Sequence, residues 1–332
     1  MNQKKNIIWS CDRNKRQKRF LDCPADEILY GGSAGPGKSE ALLISAFGNQ
    51  EQNAMNNPNW KALILRRTFP DLERTLIQRS IQIFSQLGGR YDANKHRWTF
   101  PLGGVVQFGH MKTEYDKYDY KSSEYNVICF DELTEFTEGM YLYLFSRNRT
   151  TDPKLKAQIR SASNPTGIGH SWVKKRFLEK EDGSKIQPDK IHIYDILMPN
   201  GTKRQITRCY IPAKLSDNPY LSENDPNYLI RLMQLPEMER RALMDGDWDI
   251  FSGQFFPEFG EQHICKPFDF AYGSPVWVSL DYGFATKTAT GFYSLLSGTF
   301  YMFAELYVSK KEPNELSALI KEKLGKRFTD IV

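Results

Sequence analysis

No apolar run in the 332-residue chain approaches the ~20 residues that a bilayer-crossing helix needs. The longest candidates, Ala41–Phe47 and Val127–Phe130, are far shorter, so no membrane partner is expected. Cysteine is sparse: the five, Cys11, Cys23, Cys129, Cys209 and Cys265, are scattered without a C-x-x-C pair. That argues against a disulfide framework or a cysteine-built zinc site and suits a reduced intracellular protein. The five histidines (His96, His110, His170, His192, His263) show no metal-ligand spacing. Met1–Trp9 is basic but has no long apolar stretch, so it does not read as a secretory signal. What remains is ordinary globular composition, with 40% hydrophobic and 26% charged residues. At roughly 150 residues per domain, the length suggests about two domains.

The net charge of +5 averages over uneven blocks. Residues 1–19 hold seven Lys/Arg against Asp12 alone. Residues 152–208 hold twelve bases and six acids, and residues 209–262 hold four bases and ten acids. Alternating blocks suit a protein that turns one face to a polyanion and another to protein partners.

The sharpest signal is Gly31-Gly-Ser-Ala-Gly-Pro-Gly-Lys-Ser39, between the β-prone Glu27–Tyr30 and the helix-prone Glu40–Phe47. Gly32-x4-Gly37-Lys38-Ser39 is the P-loop pattern in its strand–loop–helix context. Glycines let the backbone of Gly32, Ser33, Ala34, Gly35, Pro36 and Gly37 wrap a phosphate and aim N–H groups at it. The helix N-terminus adds partial positive charge at the same place. Lys38 is expected to reach the β- and γ-phosphates of ATP, and Ser39 to offer its hydroxyl to Mg²⁺.

Asn126–Phe130 reads as a buried strand with Asp131-Glu132 at its C-terminal end, where ligands of open α/β sheets collect. Asp131 is expected to hold the metal and Glu132 to activate water as general base. An acid pair fits hydrolysis better than transfer to a small molecule, because water needs a base. Gln17, fifteen residues before Gly32, carries an amide able to read an adenine edge, and Phe20 is placed to pack on the ring.

With these residues the chain resembles the large terminase subunit of tailed bacteriophages. The resemblance takes in Gln17, Gly31–Ser39, Ala62–Arg67, Val127–Glu132, Ser161–Pro165, Ile211–Tyr220, Leu243–Asp249 and Val276–Gly283. It implies an α/β protein: a RecA-like P-loop ATPase of the additional-strand type, then an RNase H-like nuclease. It also implies a DNA-packaging motor using ATP and Mg²⁺, with double-stranded DNA, a portal protein and a small terminase subunit as partners. A homo-oligomeric ring on the portal is implied as well. The place of action is the cytoplasm of an infected bacterium, transiently on the procapsid. Ser163 and Asn164 match the motif coupling hydrolysis to motion, after a strand expected over Lys156–Arg160. Arg66 and Arg67 are the first candidates for an arginine finger, acting in cis or from a neighbouring subunit, with Lys121 behind them.

The resulting plan is a basic arm (1–22), an ATPase core (23–211), a linker or lid (212–263) and the first part of a nuclease (264–332). In the last, Pro275–Leu280 reads as a strand ending in Asp281. A hairpin through Ser297-Gly298 and a helix over Glu315–Leu324 follow. By resemblance, Asp281 is the first carboxylate of a two-metal site for Mg²⁺ or Mn²⁺. The family's next carboxylate follows a later strand, and the sequence stops near Phe328–Val332, so an incomplete, inactive nuclease is expected. The rival readings are a helicase-like or repair ATPase and a non-catalytic nucleotide-binding assembly module.

Overall fold

The computed structural model describes residues 8–249, 263–271, 273–284 and 286–325. The sequence-based readings on Met1–Ile7, on residues 250–262 and on Phe328–Val332 lie outside the described residues. The chain divides into two compact units, Met1–Pro257 and Glu258–Val332. The expected linker, as far as Asp249, is part of the first unit.

The first unit is built on a nine-stranded sheet. Its strands are β1 (Glu27–Gly32), β2 (Lys61–Arg66), β3 (Arg90–Asp92), β4 (Arg97–Thr99), β5 (Val105–His110), β6 (Val127–Asp131), β7 (Gln158–Ser163), β8 (Ile191–Leu197) and β9 (Lys203–Ala213). They lie in the order β3-β4-β5-β2-β6-β7-β1-β9-β8. In that order the six from β5 to β9 run parallel; β4 and β8 pair antiparallel with the two ends of that run, and β3 pairs antiparallel with β4. The phosphate-loop strand β1 and the Asp131 strand β6 are therefore not neighbours. β7 is inserted between them, which is the additional-strand arrangement.

The sequence forms this sheet because its strands are apolar on both faces. Ile28 and Tyr30 of β1 enter one core with Ile64 and α2 (Lys38–Phe47), whereas Leu29 enters the opposite core with Leu63, Leu65 and Phe130. Strand period two sends successive residues to opposite layers, as in a sheet covered on both sides. At the N-terminal end of β1, fully buried Glu27 accepts from Tyr141 (2.6 Å), Arg176 (2.7 and 3.0 Å) and Arg208 (2.9 Å). Two cations and a phenol compensate that buried charge.

Two sequence readings change here. The strand expected over Lys156–Arg160 begins at Gln158 and runs through Ser163. Lys156 is exposed and pairs with Asp26, while Ser161, Ala162 and Ser163 are small enough to sit buried between β6 and β1. Phe20 does not face a nucleotide site: it is fully buried and stacks on Tyr30 at 5.3 Å.

In the second unit β10 (Val276–Asp281), β11 (Thr288–Leu296) and β12 (Thr299–Val308) form an antiparallel sheet with β11 in the middle. A helix follows over Pro313–Leu324, opened by Pro313 and a capping box of Glu312 and Glu315. Among the described residues no helix is long and apolar enough to cross a membrane.

Candidate nucleotide-binding and hydrolysis site

The loop from Gly32 to Ser39 joins the C-terminal end of β1 to α2. Its geometry demands glycine. Gly32 has φ +143°, and a Cβ there would lie 2.3 Å from the Ala213 carbonyl oxygen. Gly37 has φ +82°, and a Cβ there would lie 2.4 Å from Gln17 Nε2. At Gly32 the clash is with backbone and excludes any side chain; at Gly37 the left-handed backbone disfavours one and the Gln17 amide would have to move.

Three side-chain amides hold the back of the loop. Asn218 Nδ2 donates to the Gly35 carbonyl (2.7 Å), Asn14 Nδ2 to Pro36 (3.0 Å) and Gln17 Nε2 to Gly37 (2.8 Å). With consecutive carbonyls tied outward, the concave side is left to N–H groups. Gln17 is thus an anchor of the loop in this structure. Asn218 lies within Ile211–Tyr220, one of the stretches that carry the resemblance, but nothing in the sequence marks it or Asn14 as an anchor of the loop. Each sits in a turn, where an asparagine is most often a helix cap; both are also caps, to Gln17 N and Leu221 N.

Lys38 is buried at the start of α2. Its ammonium donates to the Ser33 carbonyl and, at 2.5 Å, to Asn164 Oδ1. Burial lowers its pKa to about 8, against the opposing pull of Glu132 and Asp131. Ser39 Oγ donates to Asp131 Oδ1 at 2.8 Å across the gap between α2 and β6. Burial, and then the neighbouring Glu132, raise the Asp131 carboxyl above the ordinary range. Arg66 Nε approaches Asp131 Oδ2 at 3.1 Å, yet no hydrogen bond reaches that buried oxygen, because the N–H is not aimed at it.

A hydroxyl, a buried carboxylate and an unsatisfied oxygen side by side fit a hard divalent cation such as Mg²⁺. The loop fits the phosphates that would share it.

Glu132 adopts a left-handed conformation (φ +54°) immediately after β6 and is part-exposed, with Oε1 3.8 Å from the Arg66 guanidinium. Arg66 also donates to Thr75 Oγ1 (2.9 Å). Arg67 turns elsewhere, to the Met111 carbonyl and Met140 Sδ, both at 3.0 Å. Exposed Lys121 is bound through its carbonyl by Arg147. Of the three basic candidates, Arg66 alone contacts the acid pair.

Ser163, at the end of β7, shares a hydrogen bond with Thr134 Oγ1 (2.8 Å) and accepts from Thr134 N (3.1 Å). A continuous path therefore runs from Lys38 through Asn164 and Ser163 to Thr134, two residues after Glu132.

Linker residues close one side of the loop. Ser33 N donates to the Ala213 carbonyl (2.8 Å) and Ala34 N to the Leu243 carbonyl (2.5 Å). Trp248 is buried against His170 (5.6 Å, stacked). The basic arm is not a free tail over its described part. Arg13 pairs with Glu223, Arg16 makes two bonds to Asp189 (2.8 and 2.7 Å), and Arg19 donates to the Asp189 carbonyl.

The family model for the N-terminal region of the T4-like-virus type terminase large subunit matches residues 29–262. The chain belongs to the terminase large subunit family. Among solved structures, the large terminase of a thermophilic bacteriophage is similar at 18% identity with a TM-score of 0.51, over 96% of this chain and 74% of that one. A second crystal form of the same protein gives 18% identity and 0.50, over 98% and 74%. A likeness of that degree shows a shared terminase fold. No curated protein sequence matches the chain.

In the second unit of this terminase chain, Asp281 ends β10, is exposed and pairs in register with Ala289. Among the described residues, no group of three His, Cys, Asp or Glu side chains converges to hold a metal.

Proposed function

We propose that this chain is a DNA-packaging ATPase that drives double-stranded DNA into a phage procapsid by hydrolysing ATP between α2 and β6. The supporting observation is the bond between Ser39 Oγ and Asp131 Oδ1 at 2.8 Å, beside buried Lys38. A binding module has no need of the general base that follows at Glu132.

A bound Mg²⁺ would supply positive charge to offset that of the phosphates. Ser39 and Asp131 would hold it. Lys38 would exchange the Ser33 carbonyl and Asn164 for phosphate oxygens. Glu132 would accept a proton from the attacking water through its exposed carboxylate. Arg66, whose guanidinium lies 3.8 Å from Glu132 Oε1, would orient that carboxylate and offset charge developing on the phosphate. Release of Asn164 by Lys38 would be felt by Ser163 and Thr134, and so by the loop that carries Glu132.

The contact with DNA would be to phosphates, insensitive to sequence and weakened by salt. A portal protein, a small terminase subunit and a ring of identical subunits are the partners this role needs. For the second unit we retain an RNase H-like reading. Its strand ending in Asp281, hairpin and helix follow that order, with Asp281 as a ligand of Mg²⁺ or Mn²⁺.

The test is ATP hydrolysis by the purified chain with and without duplex DNA over a salt series. Turnover stimulated by DNA and lost with rising salt supports the motor. Failure to bind ATP at all overturns it.

A further inference from the structure

We propose that Asn218 is a positioning residue that locks the phosphate loop to the linker segment, so that a change in loop conformation is passed directly to the linker helix Pro219–Asn224. Its amide makes two bonds in opposite directions. Nδ2 donates to the Gly35 carbonyl at 2.7 Å, and Oδ1 accepts from Leu221 N at the helix start. One side chain therefore joins the tip of the loop to the first turn of a helix far later in the chain.

The surroundings make that bond a junction. Gly35 has φ +89°, and a Cβ there would meet Leu215 Cδ1 at 2.6 Å and Leu221 Cδ2 at 2.8 Å. The linker thus lies directly on the loop tip with no room for a side chain. Two further linker contacts take backbone groups of the same loop: Leu243 O binds Ala34 N, and Gly246 comes so close that a Cβ on it would lie 2.5 Å from Ser33 N. Behind the first of these contacts is a cavity of about 530 Å³ between Leu215, Leu221, Tyr228 and Met244. Asn218 is the junction's polar link: its donor holds the Gly35 carbonyl beside the apolar contacts of Leu215 and Leu221.

The inference rests on the nucleotide reading for its purpose, but the mechanical link is testable without nucleotide. Asn218→Asp keeps the helix-capping oxygen and removes the donor. Asn218→Ala removes both. Amide hydrogen exchange on the ligand-free chain should show faster exchange across Gly35–Ser39 in both variants, with faster exchange at Leu221 and Ser222 only in Asn218→Ala. Affinity for ADP with Mg²⁺ should fall on the order of tenfold in Asn218→Asp, as loss of a hydrogen bond plus a repelled carbonyl would give.

At saturating ADP the wild-type linker amides should change their exchange, and those of Asn218→Asp should not. Should Asn218→Asp fail to fold, Asn218→Ala, which also lacks the donor, carries the comparison over Gly35–Ser39. Unchanged exchange over Gly35–Ser39 in the donor-less variant overturns the proposal. A wild-type chain that binds no ADP overturns the nucleotide reading instead, and leaves the exchange comparison to decide the link.

Discussion

Arg160 holds Phe20 in two ways: its guanidinium lies 5.4 Å from the ring centroid and donates to the Phe20 carbonyl at 2.7 Å. It also reaches the carbonyls of Leu21 and Cys23. Among the described residues no carboxylate forms an ion pair with this buried cation. Three carbonyls at the end of the helix Lys15–Asp22, which carry partial negative charge, serve instead. The helix that carries Gln17 is thereby fastened to the strand that carries Ser163. Arg160→Met should remove this donor from all three carbonyls, leaving Phe20 with only the long bond from Cys23 N (3.4 Å), and destabilise the first unit by about 2–4 kcal/mol. Urea denaturation measures this, and a change under about 1 kcal/mol, one ordinary hydrogen bond, would show that the carbonyls find other donors.

Glu132→Gln should abolish turnover while ATP still binds. The amide keeps the size of the side chain but cannot take a proton from water. Single-turnover hydrolysis beside equilibrium ATP binding separates the two effects. Hydrolysis at the wild-type rate would remove Glu132 from the mechanism.

Gly32→Ala and Gly183→Ala make a matched pair. Both positions have positive φ, +143° and +79°, but only the Gly32 Cβ meets backbone, at 2.3 Å; nothing lies within 4 Å at Gly183. The Gly183 change should cost about 1 kcal/mol, for conformation alone. The Gly32 change should cost several times that, or prevent ATP binding, because Ala213 O is fixed in β9. Equal melting temperatures for the two variants would contradict the geometry.

Lys38 sets a pH dependence. Its folded pKa, about 8, lies below the ordinary 10.5, so the native chain holds this proton more weakly than the unfolded chain does. The cost of burying the charge is complete below about pH 8 and is relieved as pH rises towards 10.5. Lys38→Met should therefore gain stability over wild type most at about pH 7, with the gain shrinking towards about pH 10. In the wild type, ATP should restore the proton above about pH 8, so binding takes up protons there. Calorimetry in buffers of different ionisation enthalpy reads that uptake, and Lys38→Met should lose it.

Much of this site was legible because its chemistry is local. The phosphate loop announces both its turns and the helix after it, and Asp131-Glu132 stands at the end of a short apolar strand. Other features are decided by tertiary geometry. Arg66 ends β2 and Arg67 follows it, and only the surrounding fold determines which of the two meets Asp131. Phe20 has the right spacing for a base-stacking role and the wrong environment, since Tyr30 and Arg160 enclose it. The three amides behind the loop come from two segments about two hundred residues apart, and no short motif joins them. The three-residue strands β3 and β4 are too brief for alternation to show.

The cluster around Glu27 has a mechanical consequence. Tyr141, Arg176 and Arg208 come from two helices and β9, and all three grip one carboxylate beneath the phosphate-loop strand. That end of the sheet behaves as a clamped beam. A displacement at the loop would then meet a strand held at its base, and would be passed to the opposite rim, where the loop, the Glu132 turn and the linker lie.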